Sequence, residues 1–280
     1  MNVPTTSAVI GGGTMGAGIA HVLLAGGSRV VLAEAGADRA AKAREAVATS
    51  LAKAAERGKL SAEPEALLAN LSVVERLADL PADAELVVEA VPEDVELKRR
   101  VLSEAASACP QAVLASNTSS LSISDLAEGL PGERVLGMHF FNPVPVQKLV
   151  ELVHHDGVTG DVVANVRAWA EALGKTVIEV RDSPGFATSR LGVAVGMEAI
   201  RMLEEGVATA EDIDTGMRLG YGWPMGPLRL TDLVGLDVRL AIAEHLASEL
   251  GARFEPPRLL RDKVARGELG RKTGRGFFDW

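Results

Sequence analysis

Residues 7–20 read SAVIGGGTMGAGIA, and few folds accommodate that string. A short β-type run enters three consecutive glycines, and a helical pattern follows without a break. Gly11, Gly13 and Gly16 have the spacing G-x-G-x-x-G. At a strand-to-helix turn each has a separate task. Gly11 makes the tight turn, Gly13 lets the backbone approach a pyrophosphate without a Cβ in the way, and Gly16 lets the helix pack close to the sheet. Thr14 and Met15 then open a helix whose N-terminus offers unpaired N–H groups and a partial positive charge to a phosphate. The glycine spacing alone is weak evidence, because an ordinary glycine turn has the same form. Glu34 strengthens it by ending the second apolar run, roughly 20 residues beyond the glycines, where a carboxylate would bind an adenosine ribose diol. A carboxylate there repels a 2′-phosphate, which favours NAD over NADP. Arg39, a few residues later, is expected on the helix surface.

The same alternation continues along the first half of the chain. Residues 7–10, 29–33, 71–74, 85–89, 112–116 and 135–140 read as short buried strands. Helical spacing occupies residues 37–57 and 93–108 between them. Alternation of this kind predicts a parallel sheet covered on both faces by helices. Residues 149–154 and 176–180 read as two more strands, with a helix over about 161–173 between them. After Asp182-Ser183-Pro184-Gly185 no strand pattern recurs, and helices are expected over 186–205, from Thr209, and over 228–234, 237–250 and 257–266. The fold class is therefore α/β, a Rossmann-type doubly wound sheet over residues 1–183 followed by an all-helical domain over residues 184–280.

Composition excludes several classes of function. The formal charge of −9 does not suit non-specific nucleic-acid binding, which needs a basic face. No apolar run approaches the roughly 20 residues that span a bilayer, and no basic leader precedes the first strand, so a cytoplasmic protein is expected. The single cysteine, Cys109, cannot form an internal disulfide and reads as a packing residue. His154 and His155 are adjacent on a strand, so they point to opposite faces, and no metal site is expected. His21 and His245 read as packing or surface residues.

Two stretches carry chemistry. Residues 116–120, SNTSS, stand at the carboxyl end of a strand, where open α/β sheets bind ligands. Residues 139–151 read HFFNPVPVQKLVE. Oxidation of an alcohol needs a base for the hydroxyl proton, and a histidine suits neutral pH. Pro143 and Pro145 would turn the chain, bringing Glu151 back beside His139, where a carboxylate orients the imidazole. A structural histidine near a surface glutamate fits these residue types equally well.

With these stretches in view, the sequence resembles the 3-hydroxyacyl-CoA dehydrogenase family along nearly its whole length. The matching strings are GGGTMGAGIA, LVVEAVPEDVELK, ASNTSSL, GMHFFNPVPVQKLVEL, DSPGF, AIRMLEEG, EDIDTGMRLGYGWPMGPLRLTDLVGLD and GRKTGRGFFDW. The resemblance implies NAD-dependent oxidation of the 3-hydroxyl of a 3-hydroxyacyl-CoA, with His139 as base and Glu151 as its orienting partner. It further implies that Ser119 hydrogen-bonds the reacting hydroxyl and, with Asn117 and Asn142, contacts the cofactor. Glu93 and Lys98 match positions near the nicotinamide ribose, although by themselves they would pass for a solvated helix face. Lys272 matches a cofactor-contacting lysine. Ser50 and Arg57, with Lys59, match loosely a region that binds coenzyme A. Ser189 departs from the pattern, since many members carry there an asparagine that helps hold the substrate. Serine offers one hydroxyl in place of an amide, which leaves the acyl preference open. The family also implies a homodimer formed through the helical domain. A dehydrogenase of free hydroxy acids and a non-catalytic NAD-binding protein are the alternatives.

Overall fold

The computed structural model describes residues 3–280, and the chain divides into two compact units that meet between Asp182 and Ser183. The first unit holds eight strands: β1 (Thr6–Ile10), β2 (Arg29–Ala33), β3 (Leu71–Val74), β4 (Leu86–Glu89), β5 (Val113–Ser116), β6 (Val135–Phe140), β7 (Leu149–His154) and β8 (Thr176–Arg181). Its helices are α1 (Thr14–Ala25), α2 (Ala37–Glu56), α3 (Pro64–Leu68), α4 (Val95–Ala108), α5 (Ile123–Ala127) and α6 (Gly160–Ala172).

The sheet order is β3-β2-β1-β4-β5-β6-β7-β8. Every neighbouring pair is parallel except β6 and β7, which run antiparallel. Parallel strands are buried on both faces, so β1, β4, β5 and β6 are continuous runs of buried residues without polar alternation. The winding reverses between β1 and β4. Their carboxyl ends therefore face a crevice in which no crossover lies, the usual ligand position of such sheets.

Glycines set the approach of α1 to the sheet. Gly11 has φ +98°, and a Cβ on Gly16 would stand 1.7 Å from the Gly11 carbonyl oxygen. Any side chain at residue 16 would push α1 away from β1. The core beneath joins Ile19 and Leu23 of α1, Val47 and Leu51 of α2, and the sheet residues Val9, Leu32, Leu136 and Val150. On α4 the buried residues are Lys98, Val101, Leu102 and Ala105, a single helical stripe in which a lysine stands at a core position. Asp94 caps this helix, accepting from the Leu97 N–H at 2.7 Å.

The second unit is helical: α7 (Thr188–Glu204), α8 (Ala210–Gly220), α9 (Pro227–Val234), α10 (Leu236–Leu250) and α11 (Arg258–Ala265). Its own core gathers Val193, Met197, Ile200, Leu228, Leu236, Leu246 and Leu260. Thr209 caps α8 through its side chain, and Asp214 receives the first two N–H groups of α9, from Leu228 and Arg229. Asp232 is buried and accepts from the Phe277 and Phe278 amides and from Trp280 Nε1, which fastens the C-terminal segment onto α9. The expected strands form within one residue of their predicted bounds. The five-residue helices α3 and α5 were not expected. Among the described residues no helix is long and apolar enough to cross a membrane.

Candidate active site

The crevice at the carboxyl ends of β1, β2 and β4 opens into a cavity of about 960 Å³. Its walls include Gly11, Gly13, Thr14, Met15, Glu34 and Ala90. Helix α1 begins at Gly13, which has no side chain to cap it, so the first-turn N–H groups of Thr14 and Met15 await an outside acceptor. No protein atom lies within 4 Å of the position a Cβ on Gly13 would take. The backbone there is bare toward the cavity, as a pyrophosphate requires. Beside the glycine loop Glu34 is held by the Gly12 N–H at 2.6 Å and faces Arg39 Nε at 3.3 Å. The glycine loop thus fixes the carboxylate in the wall of the cavity that its amides also line, which fits a dinucleotide bearing a free ribose diol.

Beyond β4 lies a charged network that the sequence did not reveal. Glu89, at the end of β4, is fully buried, and Lys98 is 1% exposed. Lys98 Nζ lies 2.8 and 3.1 Å from the two Glu89 oxygens, 3.1 Å from the Val91 carbonyl and 3.3 Å from Glu93 Oε2. Glu89 also receives the Ser116 hydroxyl and the Val91 N–H, each at 2.6 Å. Lys98 is therefore no part of a solvated helix face, contrary to what its charge alone suggests. Its donors are taken up inside the protein, and its position on the buried stripe of α4 aims it at the end of β4. Glu93 receives the Thr118 hydroxyl at 2.7 Å, the Ser119 N–H at 2.9 Å and the Ser119 hydroxyl at 3.3 Å. Burial would raise the Glu93 carboxyl, but the Lys98 ammonium and these donors outweigh it and hold the group below the usual carboxylate range. The SNTSS loop after β5 is thereby tied to the α4 entrance by a carboxylate that stays ionised. Asn117 Oδ1 accepts the Phe140 N–H at 2.9 Å, joining that loop to the end of β6.

On β6 and β7 the register sets His139 opposite Glu151. His139 Nδ1 and Glu151 Oε2 are 2.6 Å apart, and both residues are buried. A carboxylate only accepts, so Nδ1 carries the proton and Nε2 becomes the accepting nitrogen. Phe141 packs on the imidazole, with ring centroids 4.4 Å apart. One strand pair thus supplies an oriented imidazole, and its neighbour β5 supplies the serine-rich loop.

This chain matches the family model for the NAD-binding domain of 3-hydroxyacyl-CoA dehydrogenase over residues 6–183 and that for the C-terminal domain over residues 185–280. The chain belongs to the 3-hydroxyacyl-CoA dehydrogenase family. It is an NAD-dependent dehydrogenase. It is 40% identical over 277 residues to a probable 3-hydroxybutyryl-CoA dehydrogenase of Bacillus subtilis, covering 97% of this chain and 96% of that one. Among solved structures it is similar to (S)-3-hydroxybutyryl-CoA dehydrogenase PaaH1 from Ralstonia eutropha, with TM-score 0.94, 40% identity and 99% of each chain covered. It is also similar to FadB2 of M. tuberculosis, with TM-score 0.93, 40% identity and 100% of each chain covered.

The remaining expected site residues fall as follows in this dehydrogenase. Asn142 is exposed in the β6–β7 turn and precedes Pro143 through a cis peptide bond. Ser50 lies on α2 in an open groove of about 460 Å³, with Lys42, Glu45, Ala46, Thr49 and Lys53. Arg57, its expected basic companion, does not line this groove; the cations beside Ser50 are Lys42 and Lys53. Arg57 ends α2 two turns further along the same face, because seven residues complete nearly two helical turns. The Ser50 hydroxyl is bonded to His21 Nδ1 at 2.8 Å, which makes His21 a buried bridge from α1 to α2. In the second unit Ser189 is half-buried in the first turn of α7, and Lys272 pairs with both oxygens of Asp237 at 2.6 Å. Cys109 is buried with its thiol donating toward the Pro81 carbonyl, and burial pushes its pKa up.

Proposed function

We propose that this dehydrogenase oxidises the 3-hydroxyl of an (S)-3-hydroxyacyl-CoA thioester to the ketone, reversibly, with His139 as the base. The observation that carries the reading is the buried cross-strand pair of His139 Nδ1 and Glu151 Oε2 at 2.6 Å. Bound NAD supplies the hydride acceptor. The hydroxyl proton passes to His139 Nε2 as the C3 hydrogen leaves with its electron pair and the carbonyl forms. Glu151 keeps the ring in its tautomer and stabilises the imidazolium that results. Ser119 hydrogen-bonds the reacting oxygen, and its position is held through Glu93. Glu93 would contact the nicotinamide ribose, with Lys98 holding it from within. Gly11, Gly13, Thr14, Met15, Gly16 and Glu34 would hold the pyrophosphate and adenosine half of the cofactor, with Asn117 and Asn142 as further contacts in the same unit. Ser50, Arg57 and the lysines of the α2 groove suit the phosphates of coenzyme A, and Ser189 helps set the acyl group accepted. Two of the relatives above are named for 3-hydroxybutyryl-CoA, which supports a short acyl chain.

The test is NADH formation with (S)-3-hydroxybutyryl-CoA, longer 3-hydroxyacyl-CoAs and free 3-hydroxybutyrate, each with NAD and NADP. Turnover of thioesters with NAD and none of the free acid is expected. Turnover of the free acid alone would move the protein to hydroxy-acid oxidation, and NAD binding without any turnover would mean a non-catalytic role. We further propose a cytoplasmic homodimer formed through the helical unit, where Leu219 and Tyr221 are 78% and 77% exposed near the end of α8. Light scattering should give twice the 29.3 kDa chain mass; a mass of one chain at every concentration contradicts the dimer.

A further inference from the structure

Lys175 is buried, lies directly before β8 and forms no ion pair among the described residues. Its Nζ donates instead to two backbone carbonyls, that of Val144 at 2.6 Å and that of Gln147 at 2.8 Å. Both belong to the eight-residue turn that leaves His139's strand and returns on Glu151's strand. The turn contains two prolines, Pro143 and Pro145, which have no N–H to donate, and only the Pro143 carbonyl is served from within, by the Val146 and Gln147 amides. The Val144 carbonyl contact is buried and that of Gln147 partly so, and a buried carbonyl left bare costs free energy. The turn is also seated from the other side. Val144 is buried against α1, where a Cβ on Gly18 would stand 2.9 Å from the Val144 side chain.

Lys175 is itself anchored on both flanks. Its amide bonds to the Ala170 carbonyl at the end of α6, and the next amide, from Thr176, bonds to the Lys148 carbonyl at the end of the same turn. Burial brings Lys175 down to about 8, so the group keeps its proton at neutral pH. The titratable residue it faces is His21, which burial and then the Lys175 charge lower to about 4 and keep neutral.

We propose that Lys175 is a positioning residue for the dehydrogenase reaction, clamping the β6–β7 turn through two carbonyls so that His139 and Glu151 stay in their reactive alignment. The inference rests on the proposed role of that pair. Val144 and Gln147 lie five and four residues from His139 and Glu151, and displacement of reacting groups by an ångström costs on the order of 10²-fold in rate.

Lys175→Met keeps the hydrocarbon stem and removes the donors. With saturating NAD and thioester, kcat should fall by about 10–100-fold. The NADH dissociation constant, read by fluorescence on the same preparation, should stay as in the wild type. The pH profile of kcat/KM should shift, because the base is held differently, and Lys175→Arg should recover most of the lost kcat. Lys175→Gln, with a shorter donor, serves as the second variant and should fall between them. A kcat near wild type in the Met or Gln variant overturns the proposal. So does a loss that only matches the loss of NADH-binding sites with an unaltered pH profile. A wild-type enzyme inactive on every thioester would overturn the proposed reaction instead, which the same assay reports separately.

Discussion

At the residue scale the site is built from charges whose burial their sequence does not announce. Glu89 closes the apolar run LVVE and reads as the edge of a strand, yet it receives Lys98, Ser116 and the Val91 amide with no exposure to solvent. Lys98 reads as a helix-surface lysine because its neighbours Arg99 and Arg100 are basic too. Only the stripe Lys98, Val101, Leu102, Ala105 would have marked it as inward-facing. The consequence is measurable. Lys98→Met leaves the Glu89 carboxylate buried without its cation and should cost about 3–5 kcal/mol of stability, read by urea unfolding. Glu89→Gln combined with Lys98→Met removes both charges and should restore most of that loss; no recovery would mean that the two residues do not act as a pair. For His139, the His139→Gln variant should lose on the order of 10²–10⁴ in kcat while NADH still binds, the range for loss of a general base. Turnover near wild type would remove His139 from the mechanism.

At the element scale most of the architecture is legible, because a buried parallel strand and an amphipathic helix each impose a period. The strands β2, β3, β6 and β7 run over the residues that their apolar runs predict. The helices α3 and α5 are five residues long, too short to show a period, so they escape such reading. Among the candidate site residues, the glycine loop and Glu34 could be read from residue types and placement, whereas residue types left His139 and Glu151 open and the family resemblance singled them out. The Ser50 groove could not be read fully, because its cations are Lys42 and Lys53, while Arg57 lies beyond it on the same face at the end of α2. Helix α10 shows a comparable mismatch in the second unit. Its buried stripe is Leu236, Arg239, Ala243 and Leu246, and Arg239 Nε has no hydrogen-bond partner. Burial lowers this guanidinium to about 10. Replacing it with an apolar residue removes a poorly solvated charge, so Arg239→Leu should raise stability. Thermal unfolding checks this, and a lower midpoint would show that the arginine is satisfied by a contact worth more than its desolvation.

At the scale of the whole molecule, two units with separate cores each answer to conditions in their own way. The first unit contains a group that responds to mildly acid pH. Burial, and then the charge of Lys175, lowers His21 from its ordinary 6.5 to about 4. Between those values the unfolded chain binds a proton that the folded chain refuses. His21 therefore contributes stability that is fully present above 6.5 and is lost as the pH falls toward 4. Unfolding of this unit should show one extra proton taken up across that window, a slope of about 1.4 kcal/mol per pH unit. His21→Gln should flatten the slope by that amount. An unchanged slope would mean that His21 is protonated in the folded protein.

The antiparallel step between β6 and β7 has a consequence for how this enzyme tolerates change. Here His139 and Glu151 are rungs of one ladder, joined by eight residues whose Val144 and Gln147 carbonyls accept from Lys175. Because side chains alternate between the two faces, slipping β7 by one position turns Glu151 away and brings Val150 or Leu152 beneath the imidazole. The length of that turn thus sets whether the imidazole and the carboxylate meet at all.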